Sequence, residues 1–371
     1  MLATVSFGLC FVAWGLTGGL APLLADGYHL SASQTALLAV APVLLGSVAR
    51  LPMGLLTDHV GGRAMFGGLL SVAALASWCL PVAGSYPALL ATAFVLGLAG
   101  ASFTIGAVVV SRRTPPARQG TALGLYSLGA LGQSVAVFGA PVLAGVVGWP
   151  GVCRGLAVLL VAWALVYALL AGDTSAPVAP TGVAHALREL RGARVAWVLG
   201  ACYMLTFGGV VAFSLYLPTL LRNEFQLTPT EAGLRAGLFV VLATLVRPLG
   251  GWLSDRFGGA RVLRVTCAGV AVAAWVLIWP TLAMFTAGAC ACAVLLGLGN
   301  GAVFGLVPEH FPARTGIVTG LVATLGGLGG FFPPLLLGVL RDTVGVIWPG
   351  FVLLSLSALA LRILVGRTFA S

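Results

Sequence analysis

Residues Ala41–Thr57 read APVLLGSVARLPMGLLT, and residues Leu238–Ser254 read LFVVLATLVRPLGGWLS. Each is an apolar stretch broken by one arginine, Arg50 in the first and Arg247 in the second. In both, an aspartate follows eight residues later, Asp58 and Asp255. A glycine pair and a further arginine come next, Gly61-Gly62-Arg63 and Gly258-Gly259-Ala260-Arg261. A pattern recurring this closely marks an internal repeat. A guanidinium in hydrocarbon is costly and keeps its charge, so a membrane span retains one for a purpose. Two at matching positions point to one anion site lined from both halves of the chain.

The rest of the sequence sets these stretches in a bilayer. Of the 371 residues, 60% are hydrophobic and 8% charged, and the mean hydropathy is +1.08. A soluble domain carries roughly 25% charged residues. At roughly 20 residues per span, the apolar runs predict about twelve helices, over 3–25, 34–56, 64–83, 86–111, 119–147, 150–171, 195–221, 230–254, 262–282, 284–307, 315–339 and 347–366. These runs are continuous and rich in Leu, Ala and Gly, unlike the alternating strands of a barrel. The N-terminus MLATVSFGLC lacks a basic region, and its first apolar run is long enough to span, so no cleaved leader is expected. The expected class is an all-α membrane protein.

All 19 basic residues are arginine, and the net charge is +10. Most fall on the side shared by both termini, including Arg63, Arg112, Arg118, Arg191, Arg261, Arg314 and Arg367, whereas Arg154, Arg222, Arg235 and Arg341 fall on the other. The positive-inside rule then puts both termini in the cytoplasm of a multi-pass protein of the cytoplasmic (inner) membrane. This charge reads as topology and lipid contact, with no nucleic-acid partner. The seven cysteines are scattered. Cys290 and Cys292 would point roughly 200° apart on a helix, so no shared metal is expected. The histidines (His29, His59, His185, His310) lie apart, near span ends or in loops. No nucleophile–base pair, metal cluster or phosphate loop is visible, so neither an enzyme nor a cofactor is expected.

Gly172–Arg194 (GDTSAPVAPTGVAHALRELRGAR) is a break in composition. It divides the chain into an N-terminal six-helix bundle (1–171), a cytoplasmic linker (172–194) with a short surface helix near Ala184–Arg191, and a C-terminal six-helix bundle (195–371). The repeated loops share one orientation. Parallel six-helix halves with a midplane site describe the major facilitator architecture. The runs Gly54-x-x-x-Asp58-His59-x-Gly61-Gly62-Arg63 and Gly251-x-x-x-Asp255-Arg256-x-Gly258-Gly259-x-Arg261 resemble the loop signature of that superfamily, and His59 departs from its usual basic residue. The resemblance implies a cytoplasmic gate that includes Asp58, Arg63, Asp255, Arg256 and Arg261. Glycines there permit a tight turn, and an aspartate can accept hydrogen bonds at a helix end.

A second repeated signal is rich in glycine: Gly97-Leu98-Ala99-Gly100-Ala101-Ser102-Phe103, then Gly297-Leu298-Gly299-Asn300-Gly301, then Gly326-Gly327-Leu328-Gly329-Gly330. Small residues at these spacings let helices pack closely, but Asn300 needs polar partners at membrane depth. With these runs the sequence resembles the nitrate/nitrite porter family of the major facilitators along almost its whole length. The resemblance implies that Arg50 and Arg247 hold the anion. It also implies aromatic faces against it, at Phe103 and at Tyr203 and Phe207. The planar fork of a guanidinium suits a flat anion such as nitrate, and Asn300 adds an amide. In span five, Ala130 stands where family members often carry asparagine.

No Asp, Glu or Lys falls at mid-span, which leans towards nitrate/nitrite exchange over proton-coupled uptake, with protons the alternative co-substrate. Two arginines in an empty site would repel each other, and a bound anion would permit closure. The other readings are a carrier of formate or a short carboxylate, and a non-transporting membrane sensor. A monomer is expected.

Overall fold

The computed structural model describes residues 1–172, 188, 190–227, 229–330, 333 and 348–369. Among these residues the secondary structure is helical throughout. The helices are α1 (Leu2–Tyr28), α2 (Ala32–Val60), α3 (Gly62–Cys79), α4 (Tyr86–Leu96), α5 (Ser102–Arg113), α6 (Gln119–Tyr126), α7 (Leu131–Leu170), α8 (Arg194–Phe225), α9 (Pro229–Leu245), α10 (Arg247–Phe257), α11 (Gly259–Val276), α12 (Leu282–His310), α13 (Thr315–Gly329) and α14 (Trp348–Thr368). Residues 331–332 and 334–339 of the predicted span 315–339, and most of the linker with its surface helix, lie outside the described residues.

Several predicted boundaries are refined by identifiable residues. Within α7 two helices meet at Gly148, whose φ 72° and ψ 153° are not helical, between the predicted spans five and six, and span five begins in α6. The predicted span 230–254 is two helices, α9 and α10, meeting at Val246. Pro248 explains the break, because it has no N–H to donate back to Thr244. Gly97–Ala101 forms a 3₁₀ turn between α4 and α5, a tighter winding that changes where backbone carbonyls point.

The chain forms two compact units that are not cut at one point in the sequence. Unit 1 is Met1–Arg113 with Leu128–Val183 and Arg314–Gly320, and unit 2 is Thr114–Ser127 with Ala184–Ala313 and Leu321–Ser371. In unit 1, α1 packs along α7 with glycine at the seam: a Cβ on Gly19 would lie 2.6 Å from the Ala136 carbonyl oxygen. In unit 2, α11 packs between α12 and α14. The core there includes Phe239, Val270, Phe285, Leu296 and Phe351.

The repeated glycine pairs do two different jobs. Gly61 and Gly258, the first of each pair, have φ 87° and 84° and link consecutive helices. An L side chain rarely adopts that conformation. In the later pair the second glycine is a matter of space: a Cβ on Gly259 would lie 2.6 Å from Leu306 Cγ and from Ser254 Oγ.

Candidate anion site and helix-capping aspartates

In unit 2, Arg247 opens α10 directly after the break at Val246 and is 3% exposed. The break is a kink and not a free helix end: Val246 N–H donates to Leu242 and Gly250 N–H to Val246 across it. A buried guanidinium is costly unless it is paired, so this one suits an anion. The guanidinium carbon lies 5.9 Å from the centroid of the Phe207 ring. Phe207 stacks on Tyr203, with centroids 5.0 Å apart and an 8° interplanar angle. Phe304 meets Tyr203 edge-on at 4.6 Å and 76°. Arg247 Nε has no hydrogen-bond partner among the described residues.

Asn300 belongs to the same group of elements. It lies on α12 midway between Leu296 and Phe304, four residues from each, so the three share one stripe. That stripe faces α8, because Phe304 meets Tyr203 and Leu296 lies against Gly209. Asn300 is 3% exposed, and its Nδ2 has no hydrogen-bond partner among the described residues. The glycines flanking it allow the approach. A Cβ on Gly299 would lie 2.7 Å from Thr206 Cγ2, and one on Gly301 would collide with the carbonyl of Arg247. The glycine-rich run of span ten is thus the surface on which α8 and α10 seat.

In unit 1, Arg50 is 1% exposed within α2. Its Nε donates to the Gly100 carbonyl at 3.2 Å, an acceptor in the 3₁₀ turn Gly97–Ala101. Trp14 packs on that turn: a Cβ on Gly100 would lie 2.8 Å from the indole Nε1, which donates to the Pro42 carbonyl at 3.2 Å. Phe103 lies three residues beyond Gly100, is buried, and packs edge-on against Phe7 at 5.5 Å. Each unit therefore holds one buried arginine of the pair. Arg247 is grouped with Tyr203, Phe207 and Asn300, and Arg50 with the turn that precedes Phe103. Ala130 ends a 3₁₀ turn, Ser127–Ala130, beside Gly129, where a Cβ would collide with the Phe7 ring.

The repeated aspartates each cap a helix from a distant part of the sequence. In unit 1, Asp58 Oδ1 pairs with Arg112 Nη2 at 2.8 Å, and the carboxylate accepts from the backbone amides of Gly316 and Ile317 at the start of α13. In unit 2, Asp255 accepts from Gly120 N at 2.8 Å, Thr121 N at 2.7 Å and Thr121 Oγ1 at 2.6 Å, at the start of α6. The capped segments are themselves a repeat, Pro116-Ala117-Arg118-Gln119-Gly120 and Pro312-Ala313-Arg314-Thr315-Gly316. Glycine is needed in both, since a Cβ on Gly120 or Gly316 would run into the capping carboxylate.

The arginines of the loop signature are placed differently. Asp255 has no ion pair among the described residues. Arg256 lies over the rings of Trp252 and Phe257. Arg63 donates to the Ala168 carbonyl, near the C-terminal end of α7, where a cation is favoured. Arg261 is exposed on the first turn of α11. Among the described residues the cation that meets an aspartate is Arg112, which the loop pattern alone did not indicate. Phe304 and the Pro-Ala-Arg-x-Gly repeat are the other features that sequence reasoning passed over. The repeat was visible at its 196-residue spacing.

A model of the Major Facilitator Superfamily matches residues 3–334. The chain belongs to that superfamily. It is 37% identical over 365 residues to the nitrite extrusion protein of Bacillus subtilis (strain 168), covering 98% of this chain and 92% of that one. It is 34% identical over 345 residues to the probable nitrate transporter NarT of Staphylococcus epidermidis, covering 93% and 89%. These relatives place this facilitator in the nitrate/nitrite porter branch, which its glycine-rich runs resemble. Among solved structures it is similar to the human organic anion transporter MFSD10 (TETRAN), with a TM-score of 0.81 at 16% identity over 98% of both chains. It is also similar to the E. coli fucose:proton symporter FucP, at 0.77 and 17% over 99% and 98%. At those identities the likeness is one of fold. Nine helical stretches among the described residues are long and apolar enough to cross a membrane. One of them, Pro116–Leu170 with 55 residues, holds two spans at roughly 20 residues each.

Proposed function

We propose that this facilitator moves nitrate and nitrite across the cytoplasmic membrane by alternating access, binding the anion with Arg50 and Arg247. The observation that carries the reading is Arg247. It is buried, its Nε lacks a partner among the described residues, and it lies over the Tyr203–Phe207 stack near an amide that also lacks one. A buried charge without a counter-ion costs several kcal/mol. A planar monoanion offsets that cost by accepting two parallel bonds from the guanidinium while the ring faces select flatness. Asn300 Nδ2 supplies a further donor, and Phe103 an apolar wall beside Arg50. The names of the Bacillus and Staphylococcus relatives support this substrate class, and the family makes the chain a carrier rather than an enzyme.

Exchange of one anion for the other is the coupling mode that the carboxylates favour. The described ones in helices are Asp26, Asp58, Glu224, Glu231, Asp255 and Glu309, and all lie in or near first or last turns. None is placed at mid-span to carry a proton. The arginine distribution supports both termini in the cytoplasm, and the carrier is taken to act as a monomer.

The deciding experiment is counterflow of labelled nitrate in proteoliposomes, with Arg50→Lys and Arg247→Lys. Lysine keeps the charge and loses the planar fork, so each variant should lose at least about tenfold in transport, the factor for one charge-assisted bond of ~1.5 kcal/mol. Wild-type counterflow in both variants defeats the assignment. Formate that competes as well as nitrite favours the general monoanion carrier. Uptake driven by a pH gradient without internal anion rules out strict exchange.

A further inference from the structure

One end of unit 2 carries cations for which neither the anion site nor the helix-capping aspartates have a use. Arg256 closes α10 and is exposed. Its guanidinium carbon lies 5.3 Å from the Trp252 ring centroid and 5.5 Å from that of Phe257. The two rings meet edge-on at 6.5 Å, and they are 41% and 48% exposed. Beyond the Gly258 turn, Arg261 and Arg264 are exposed on the first turns of α11. The stem of Arg264 reaches the last turn of α14, where a Cβ on Gly366 would lie 3.8 Å from its Cδ. Arg367, the next residue there, is exposed as well.

These four arginines have no carboxylate partner among the described residues. The acid nearest in sequence, Asp255, has its oxygens taken by Gly120 and Thr121. The first copy of the repeat shows that the arrangement is not required by the turn. Leu55, His59 and Val60 stand where the second copy has Trp252, Arg256 and Phe257. The first copy nevertheless keeps its aspartate, its positive-φ glycine and its capped helix. The aromatic–cation group is thus a property of unit 2 alone.

Exposed tryptophan at the end of a membrane helix sits at headgroup level. A guanidinium stacked on rings is held in one plane with its N–H edges outward, a fork that matches phosphate. We propose that Arg256, Arg261, Arg264 and Arg367, on the platform of Trp252 and Phe257, bind the headgroup of an anionic phospholipid. Charge complementarity selects this occupant. An anionic headgroup brings a phosphodiester to four cations with no carboxylate partner among the described residues, with apolar rings alongside to meet its chains. A zwitterionic headgroup brings the same phosphate with an ammonium that these cations repel.

The test is native mass spectrometry of the full chain, exchanged from detergent into phosphatidylglycerol or phosphatidylcholine. The wild-type protein should retain phosphatidylglycerol in preference, and raised salt should weaken that preference. Arg256→Gln with Arg261→Gln and Arg264→Gln should lower retention by roughly fivefold per arginine, the factor for one basic residue at an anionic surface. Trp252→Leu with Phe257→Leu keeps every charge and should lower it less. Melting temperature reports whether each variant is folded. Equal retention of the two lipids by the wild type overturns the proposal. So does undiminished phosphatidylglycerol retention in a folded triple variant. If the triple variant does not fold, wild-type retention in the Trp252→Leu, Phe257→Leu protein overturns it.

Discussion

Gly326→Ala separates packing at the anion site from helix propensity, because the two predict opposite signs. Gly326 lies inside α13, where replacing glycine by alanine stabilises an ordinary helix by roughly 0.5–1 kcal/mol. Here the added Cβ would meet the Tyr203 ring, 2.6 Å from Cε1 and 3.0 Å from Cγ, and nearer still to Cδ1. Carbon atoms in contact prefer about 3.5–4.0 Å, so the ring must move by roughly 1 Å. It has no free direction, since Phe207 stacks on it at 5.0 Å and Phe304 meets it edge-on at 4.6 Å. Overpacking costs about 1–3 kcal/mol, and a disturbed aromatic pair adds about 0.5–1.5 kcal/mol. Net destabilisation of roughly 1–4 kcal/mol follows. The tilted ring also carries Phe207 away from Arg247. In proteoliposome counterflow the KM for nitrate should rise by about an order of magnitude, the factor for ~1.4 kcal/mol, alongside a lower melting temperature. Adding Tyr203→Leu should recover the melting temperature and leave the KM high. A Gly326→Ala protein that melts higher than wild type and transports normally refutes this account of the Tyr203 pocket.

Other predictions rest on separate contacts. Asp255→Asn leaves a neutral amide against two backbone N–H groups and a hydroxyl, and puts an NH₂ where a carboxylate oxygen accepted; at about 1.5–3 kcal/mol per charged bond, it should lower thermal stability by roughly 3 kcal/mol or more. Asp58→Asn and Arg112→Gln should be non-additive, with a coupling energy of about 0.5–3 kcal/mol for a contacting pair; a double-mutant cycle on melting that returns zero would count against the ion pair. Asn300→Leu removes a buried amide whose Nδ2 has no partner among the described residues and should be neutral or slightly stabilising, yet impair nitrate counterflow; a strong loss of stability with intact transport would mark Asn300 as structural.

The spans were legible in the sequence because a bilayer requires long apolar runs. Their interruptions were less so. The kink at Gly148 fell between two predicted spans, whereas the break at Val246 lay inside one, and Pro248, its cause, stood in plain view. A proline in an apolar run can kink a helix or end it, and the neighbouring packing decides which. The buried arginines could be found because they violate composition. Phe304 could not, since one more phenylalanine in an apolar helix carries no signal until its ring meets Tyr203. The ion-pair partner of Asp58 was not visible. Arg112 lies 54 residues from Asp58 in the sequence, and no local spacing ties the two together.

The sequence by itself determined that this chain spans a membrane, that it repeats one pattern twice, and that each copy carries a cation which hydrocarbon penalises. These follow from transfer energies, which belong to residues wherever they pack. The tertiary structure alone decided partners. It gave Asp58 the start of α13 and Asp255 the start of α6, each from the opposite half of the sequence. It left Arg247 at a helix break beside stacked rings, and it tied Arg50 to a carbonyl. Partners of this kind depend on which glycines let two backbones meet, and the same Gly-x-Gly run reads identically whether or not another helix lies against it.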